Sequence, residues 1–190
     1  MTTNKITTIG GQGKANEDRY IVHEEQDYSV FVLADGMGGR SFGGIAAEIA
    51  VNTVCNYNWD VTQVELCMKS ALEEADKAIE KKSMELQAKM GCAIGCVVIT
   101  NDTVFYVGLG DIRLYVQNKH GEDTLLSKDN VLTGKNGQTF LSRSLRGRGI
   151  REPLDIITTD TGSISSCSLC TDGFYRNDPK DDATNIVIQF

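Results

Sequence analysis

The spacing of apolar residues along this chain changes character near Met90. Over residues 62–89 they recur at helical spacing, with Val64, Met68, Ala71, Ala75, Ala78, Ile79 and Leu86 in one stripe and Glu and Lys covering the rest. A shorter helix is predicted over residues 43–57, with Ala46, Ile49, Ala50, Thr53 and Val54 on one face. Both stripes read as core-facing. Upstream, residues 20–23 and 28–34 are strand-like, the second (YSVFVLA) a nearly continuous β-branched and aromatic run that ends at a Gly-rich turn. Beyond Met90 the pattern becomes short strands separated by turns: 92–100, 103–107, 112–116, 124–126, 154–159, 166–170 and 184–189. About eight strands around two consecutive helices predict an α+β fold, with antiparallel sheets at the centre and helices covering a face.

With 190 residues, 41% of them hydrophobic, the chain can bury one sizeable core, and a single domain over 1–190 is the economical reading. Neither repeats nor linker-like stretches interrupt it. The formal charge of −7, from 19 basic and 26 acidic residues, disfavours a general nucleic-acid binder and permits cation binding. The first residues lack the apolar core of a signal peptide, and the longest apolar run, near 92–99, is too short to span a bilayer. A soluble cytoplasmic protein with no membrane or nucleic-acid partner is expected. Its six cysteines should then be reduced. Cys167 and Cys170 have the spacing of a zinc knuckle, but no second pair follows and the run around them alternates like a strand, so core packing is the preferred reading.

Acidic residues are common on surfaces, so position carries the information. Glu17 and Asp18 precede a strand, Asp35 ends one at DGMGG, and Asp111 lies in the turn GLGDIR. Asp172 ends a strand at TDG, and Asp181 and Asp182 precede the last strand. If neighbouring strands bring these ends together, several carboxylates converge on one edge, where their repulsion is costly without cations. Magnesium or manganese suits a loose carboxylate ring better than zinc does, since both prefer oxygen ligands and retain waters. Two such ions can activate a water for in-line attack on phosphorus. Gly36, Gly38, Gly39 and Gly173 would let the backbone turn sharply beside the aspartates. A lone DG dipeptide is ordinarily just a turn. The combination is what points to a site.

That combination resembles the metal-dependent type 2C Ser/Thr protein phosphatases. The matching residues, in order, are NED at 16–18, DGMGG at 35–39, GCAIGCVVI at 91–99, GDIR at 110–113 (where the family usually has Gly-Asp-Ser-Arg), TDG at 171–173 and DDAT at 181–184. The resemblance implies a central β-sandwich flanked by helices in a truncated four-layer αββα arrangement. It also implies hydrolysis of phosphoserine or phosphothreonine with two or three Mn²⁺ or Mg²⁺ ions. Residue by residue, Asp35 would bridge two metals and Gly36 would contribute its carbonyl to one. Asp172 and Asp181 would hold the first metal, and Glu17 the second, directly or through water. Asp18 would support the site from behind or through water, and Asp111 matches the aspartate associated with a third, weaker ion. A phosphorylated protein is the implied substrate, with a cognate Ser/Thr kinase as the implied partner.

The sequence departs from the family pattern at several points. The arginine that usually grips the phosphate, three residues before the Asn of NED, is Gly13 here; Lys14 is the nearest cation and the candidate to act beside Asp35 and Glu17 in catalysis. Only residues 173–180 separate Asp172 from Asp181, where the family usually places helices. The flap segment is reduced to about 127–152, a stretch containing Arg143, Arg146, Arg148 and Arg151 whose default reading is a solvated basic loop. Met37 stands where eukaryotic members often carry a histidine, as in bacterial relatives, and neither His23 nor His120 is placed to substitute. The alternative is a catalytically weak or inactive pseudophosphatase acting as a regulatory binding domain. A phosphatase for a small phosphorylated molecule would share every metal residue.

Overall fold

A computed structural model describes residues 3–13, 15–37, 42–150 and 153–190. Three strands open the chain: β1 (Thr3–Ile9), β2 (Arg19–Glu24) and β3 (Ser29–Gly36). Helices α1 (Gly43–Cys55) and α2 (Val64–Glu85) follow. Next come β4 (Cys92–Ile99), β5 (Thr103–Leu109), β6 (Arg113–Asn118), β7 (Asp123–Leu125), β8 (Val131–Thr133), β9 (Thr139–Leu141) and β10 (Ile157–Asp160). The chain then runs through β11 (Ile164–Cys170), the single turn α3 (Asp172–Tyr175) and β12 (Ala183–Gln189).

Two five-stranded antiparallel sheets face each other, one in the order β10-β5-β4-β3-β2 and the other β1-β12-β11-β6-β7, while β8 and β9 form a separate hairpin. The period-2 alternation of the central strands explains the layering. Every residue of β4 is buried: Cys92, Ile94, Cys96 and Val98 meet the helices, whereas Ala93, Val97 and Ile99 meet the second sheet. β3 divides in the same way, with Val30, Val32 and Ala34 toward the helices and Phe31 and Leu33 toward the sheet. A strand covered on both faces has no polar side, which is why 28–34 reads as a continuous apolar run. On α1 and α2, Ala46, Ala50, Ala71, Ala75 and Ile79 are fully buried, so the helical stripes do face the core.

The α+β class and the antiparallel centre agree with the sequence, and the truncation is localised. α1 packs on β2, β3 and β4, whereas beyond β11 the described residues hold only the single turn α3, which packs beside β12. Eight intervening residues leave room for nothing longer. β1 has no counterpart among the predicted strands, because TNKITTI is a largely exposed edge strand defined by its ladder with β12 rather than by an apolar face. All six cysteines are buried and unpaired, with Cys167 in the inter-sheet core. No described helix is long and apolar enough to cross a membrane.

Candidate metal centre

One end of the sandwich collects the acidic residues. Asp35 lies at the end of β3, paired in register with Ala93. The turn after β5 packs against that same Ala93: Gly110 has φ +113°, and a Cβ on it would lie 2.5 Å from the Ala93 Cβ. This close approach brings Asp111 alongside Asp35. Asp172 begins α3 directly after β11, near enough that its charge acts on the Asp35 carboxyl. Gly173 touches the backbone carbonyl of Asp182, which draws the 181–182 turn in beside Asp172.

These carboxylates act on one another. Burial, and then the charges of Asp18, Asp172, Asp181 and Asp111, push the Asp35 carboxyl well above its ordinary range. Asp111 is raised to about 6, by burial and then by Asp172, against an opposing pull from Arg176. Burial likewise raises Asp172, which Arg176 again partly offsets. The Oδ1 atoms of Asp18 and Asp172 are buried and accept no hydrogen bond among the described residues. An edge of this kind, with excess negative charge and unmatched oxygen lone pairs, fits a hard cation. Among the described residues no three His, Cys, Asp or Glu side chains are grouped closely enough to hold one ion together. Magnesium and manganese require no such group, since they keep several waters and bind through one or two carboxylates.

Asp18 is the best anchored of the set. Its Oδ2 accepts from Thr184 Oγ1 at 2.7 Å and from Thr171 Oγ1 at 3.1 Å, tying the start of β2 to the ends of β11 and β12. Even so, burial lifts its carboxyl to about 6. Glu17 takes a different position. Its Oε1 accepts from the Gly44 amide at 3.2 Å, at the positive end of α1 and next to the Gly36–Gly43 contact. Lys14, Gly38, Gly39 and Arg151 lie outside the described residues.

Several further side chains support this edge. Asp182, almost fully buried, accepts from the Gly11 amide through Oδ1 and from the Glu17 amide through Oδ2, both at 2.8 Å, and so fixes the chain entering β2. Thr171 and Thr184 orient Asp18. Arg176 places one guanidinium nitrogen 2.9 Å from Asp172 Oδ2 and another 3.8 Å from Asp111 Oδ2. The arginine is four residues beyond Asp172, and the i,i+4 spacing is the only signal the sequence offers for it.

The basic segment read as a solvated loop is in fact anchored. Asp76, on α2 and only 4% exposed, accepts from the amides of Arg146, Gly147, Arg148 and Gly149 at 2.9, 2.8, 3.0 and 2.7 Å. Leu145 exchanges two backbone hydrogen bonds of 3.0 Å with Cys92, the register partner of Gly36. A cleft of about 310 Å³ results, lined by Arg143, Arg146, Arg148, Ser142 and Ser144 and adjoining the aspartate turn.

Two tests follow from this geometry. A Cβ on Gly36 would press into the backbone of Gly43, reaching its carbonyl oxygen at 2.7 Å, so the end of β3 and the start of α1 touch main chain to main chain. Gly36→Ala should therefore cost about 2–4 kcal/mol, read by urea denaturation; a change below about 0.5 kcal/mol would remove the close contact from the account. Acidity is the second test. Asp18 and Asp111 have folded-state pKa values of about 6 against an ordinary 3.8, so across that window the folded chain holds more protons than the unfolded one. Metal-free stability should then fall as pH rises from 5 to 7.5, by on the order of 2 kcal/mol. Thermal melts in chelator at the two pH values decide it, and equal midpoints would contradict the coupling.

Known proteins share the fold. The protein phosphatase 2C family model matches residues 10–187. Serine/threonine phosphatase stp of Listeria monocytogenes is 25% identical over 196 residues, covering 90% of this chain and 77% of its own length. Protein phosphatase PhpP of Streptococcus pneumoniae is 25% identical over 205 residues, covering 98% and 80%. Among solved structures, serine/threonine phosphatase Stp1 from Staphylococcus aureus superposes with a TM-score of 0.87 at 18% identity, covering 100% of this chain and 95% of that one. The catalytic domain of the phosphatase PstP, in complex with two manganese ions, gives 0.80 at 19% identity, covering 99% and 97%. With a family match along nearly its whole length and the same fold, the chain belongs to the protein phosphatase 2C family, a family of protein phosphatases.

Proposed function

We propose that this chain acts as a single domain that hydrolyses phosphoserine and phosphothreonine on proteins, at a dinuclear manganese or magnesium centre. The observation that carries the reading is the convergence of Asp35, Asp111, Asp172 and Asp181 on one sheet edge, mutually repelling and with a buried Asp172 oxygen left without a partner. Asp35, Asp172 and Asp181 would hold one ion, in part through waters, while Asp35, the Gly36 carbonyl and Glu17 would hold the other. The manganese pair in the PstP catalytic domain supports the count. Bound ions of this class lower the pKa of water and neutralise phosphate charge.

The chain's own residues would perform the remaining tasks. Asp182 fixes Glu17 through its backbone amide, and Asp18, clamped by two threonine hydroxyls, keeps the ends of β2, β11 and β12 in register. In the net reaction water attacks phosphorus, the ester P–O bond breaks, and the proton released by the water ends on the serine or threonine oxygen. Substrate of this type is the product of a Ser/Thr kinase, the partner this reading implies, in the cytoplasm. Lys14 remains the proposed cationic aid to phosphate binding.

The deciding measurement is hydrolysis of p-nitrophenyl phosphate and a phosphothreonine peptide with manganese, magnesium or a chelator. Metal-dependent phosphate release that the chelator abolishes is the expected result. No turnover with any metal, together with no heat of metal binding, would overturn the assignment in favour of a regulatory pseudophosphatase.

A further inference from the structure

We infer that Arg176 is a built-in cation occupying the space between Asp111 and Asp172, so that this edge takes two divalent ions and excludes a third at that pair. The inference rests on the dinuclear reading above and concerns only the Asp111–Asp172 side of it.

The placement of the guanidinium is set by the fold. α3 is one turn long, and its final amide bond, Arg176 N–H to Asp172 C=O at 2.9 Å, puts Arg176 one turn above the carboxylate it contacts. Tyr175 docks that turn by donating its hydroxyl to the backbone carbonyl of Asp111 at 3.1 Å. The Tyr175 ring is in turn held by Arg113, whose guanidinium carbon lies 3.8 Å from the ring centroid. Arg113 is fixed by a two-pronged contact with Asp129, at 3.1 and 2.8 Å. Tyr175 thus stands as a pillar between two arginines and spaces α3 from the Asp111 turn, leaving Arg176 to span the two carboxylates at 2.9 and 3.8 Å.

A fixed positive charge within about 4 Å of a carboxylate pair satisfies part of its charge and repels a divalent ion there. The short link of residues 173–180 makes this possible, since a longer insertion after β11 would not have to fold straight back over Asp172. The described ion pairs of Arg176 are with Asp111 and Asp172, so its charge is centred on that side of the edge.

The test counts ions and does not depend on turnover. Metal-free wild type, Arg176→Gln and Arg176→Lys are titrated with Mn²⁺ by calorimetry, with unbound Mn²⁺ measured by electron paramagnetic resonance. Arg176→Gln should bind one ion more than wild type, with affinity at the new position raised at least about tenfold. Arg176→Lys should keep the wild-type count, because it keeps the charge. Adding Asp111→Asn to Arg176→Gln should remove the extra ion. Equal counts for wild type and Arg176→Gln would overturn the inference while leaving the dinuclear centre standing. No binding by any variant would overturn both.

Discussion

Asp35→Asn is expected to lower metal-dependent phosphopeptide hydrolysis by at least about a thousandfold and, at the same time, to stabilise the metal-free protein. The two effects have one origin. Asp35 ends β3 where burial and the charges of Asp18, Asp172, Asp181 and Asp111 all oppose its ionisation, so without ions its charge is a burden on the fold. Asparagine has the same shape and no charge. It relieves that repulsion in the metal-free state at pH 7.5 and removes a carboxylate oxygen proposed to hold the ions. Thermal melts should show a higher midpoint than wild type in chelator and no further rise on adding manganese, whereas wild type should rise. Retained manganese-dependent turnover in this variant would refute the assignment of Asp35. A lower midpoint in chelator would refute the electrostatic account of the edge.

The second large effect is expected away from the carboxylates, at Asp76. One buried carboxylate accepts four consecutive backbone amides, from Arg146 to Gly149. Asp76→Ala leaves those donors without their acceptor and should cost about 3–5 kcal/mol, most of it from unmet hydrogen bonding. Asp76→Asn keeps the volume and should lose about half as much. The loop these amides belong to forms the arginine-lined wall beside the aspartate turn, so the milder variant is the informative one. Its KM for a phosphothreonine peptide with acidic flanks should rise about tenfold, while kcat and turnover of p-nitrophenyl phosphate stay near wild type. A uniform loss for both substrates would mean that the loop matters only for folding.

Elements that pack against two layers were the easiest to read. The run 28–34 and the stretch 92–99 are apolar throughout because both faces of β3 and β4 are covered, and the stripes of α1 and α2 appear because one side of each is. β1 is the opposite case: its polar, exposed sequence carries no pattern, and it exists through backbone pairing with residues more than 170 positions away. Such a ladder leaves no local signature.

The site divides along the same line. That Asp35, Asp111, Asp172 and Asp181 stand at strand ends beside turn glycines is a property of the sequence, and so is the family resemblance their order carries. How they are held was decided by tertiary structure. Asp182 as the anchor of the Glu17 amide, Thr171 and Thr184 as the clamp on Asp18 and Asp76 as the acceptor for a loop 70 residues away left no signal in one dimension, and Arg176 between two aspartates left only its i,i+4 spacing from Asp172. The physical reason is range. Periodicity, turn chemistry and strand ends are set by neighbours within a few residues, and the sequence by itself determined those. Hydrogen-bond partners and the field at a carboxylate depend on atoms a few ångströms away that the chain brings together from its two ends, and only the folded sheets fix which atoms they are.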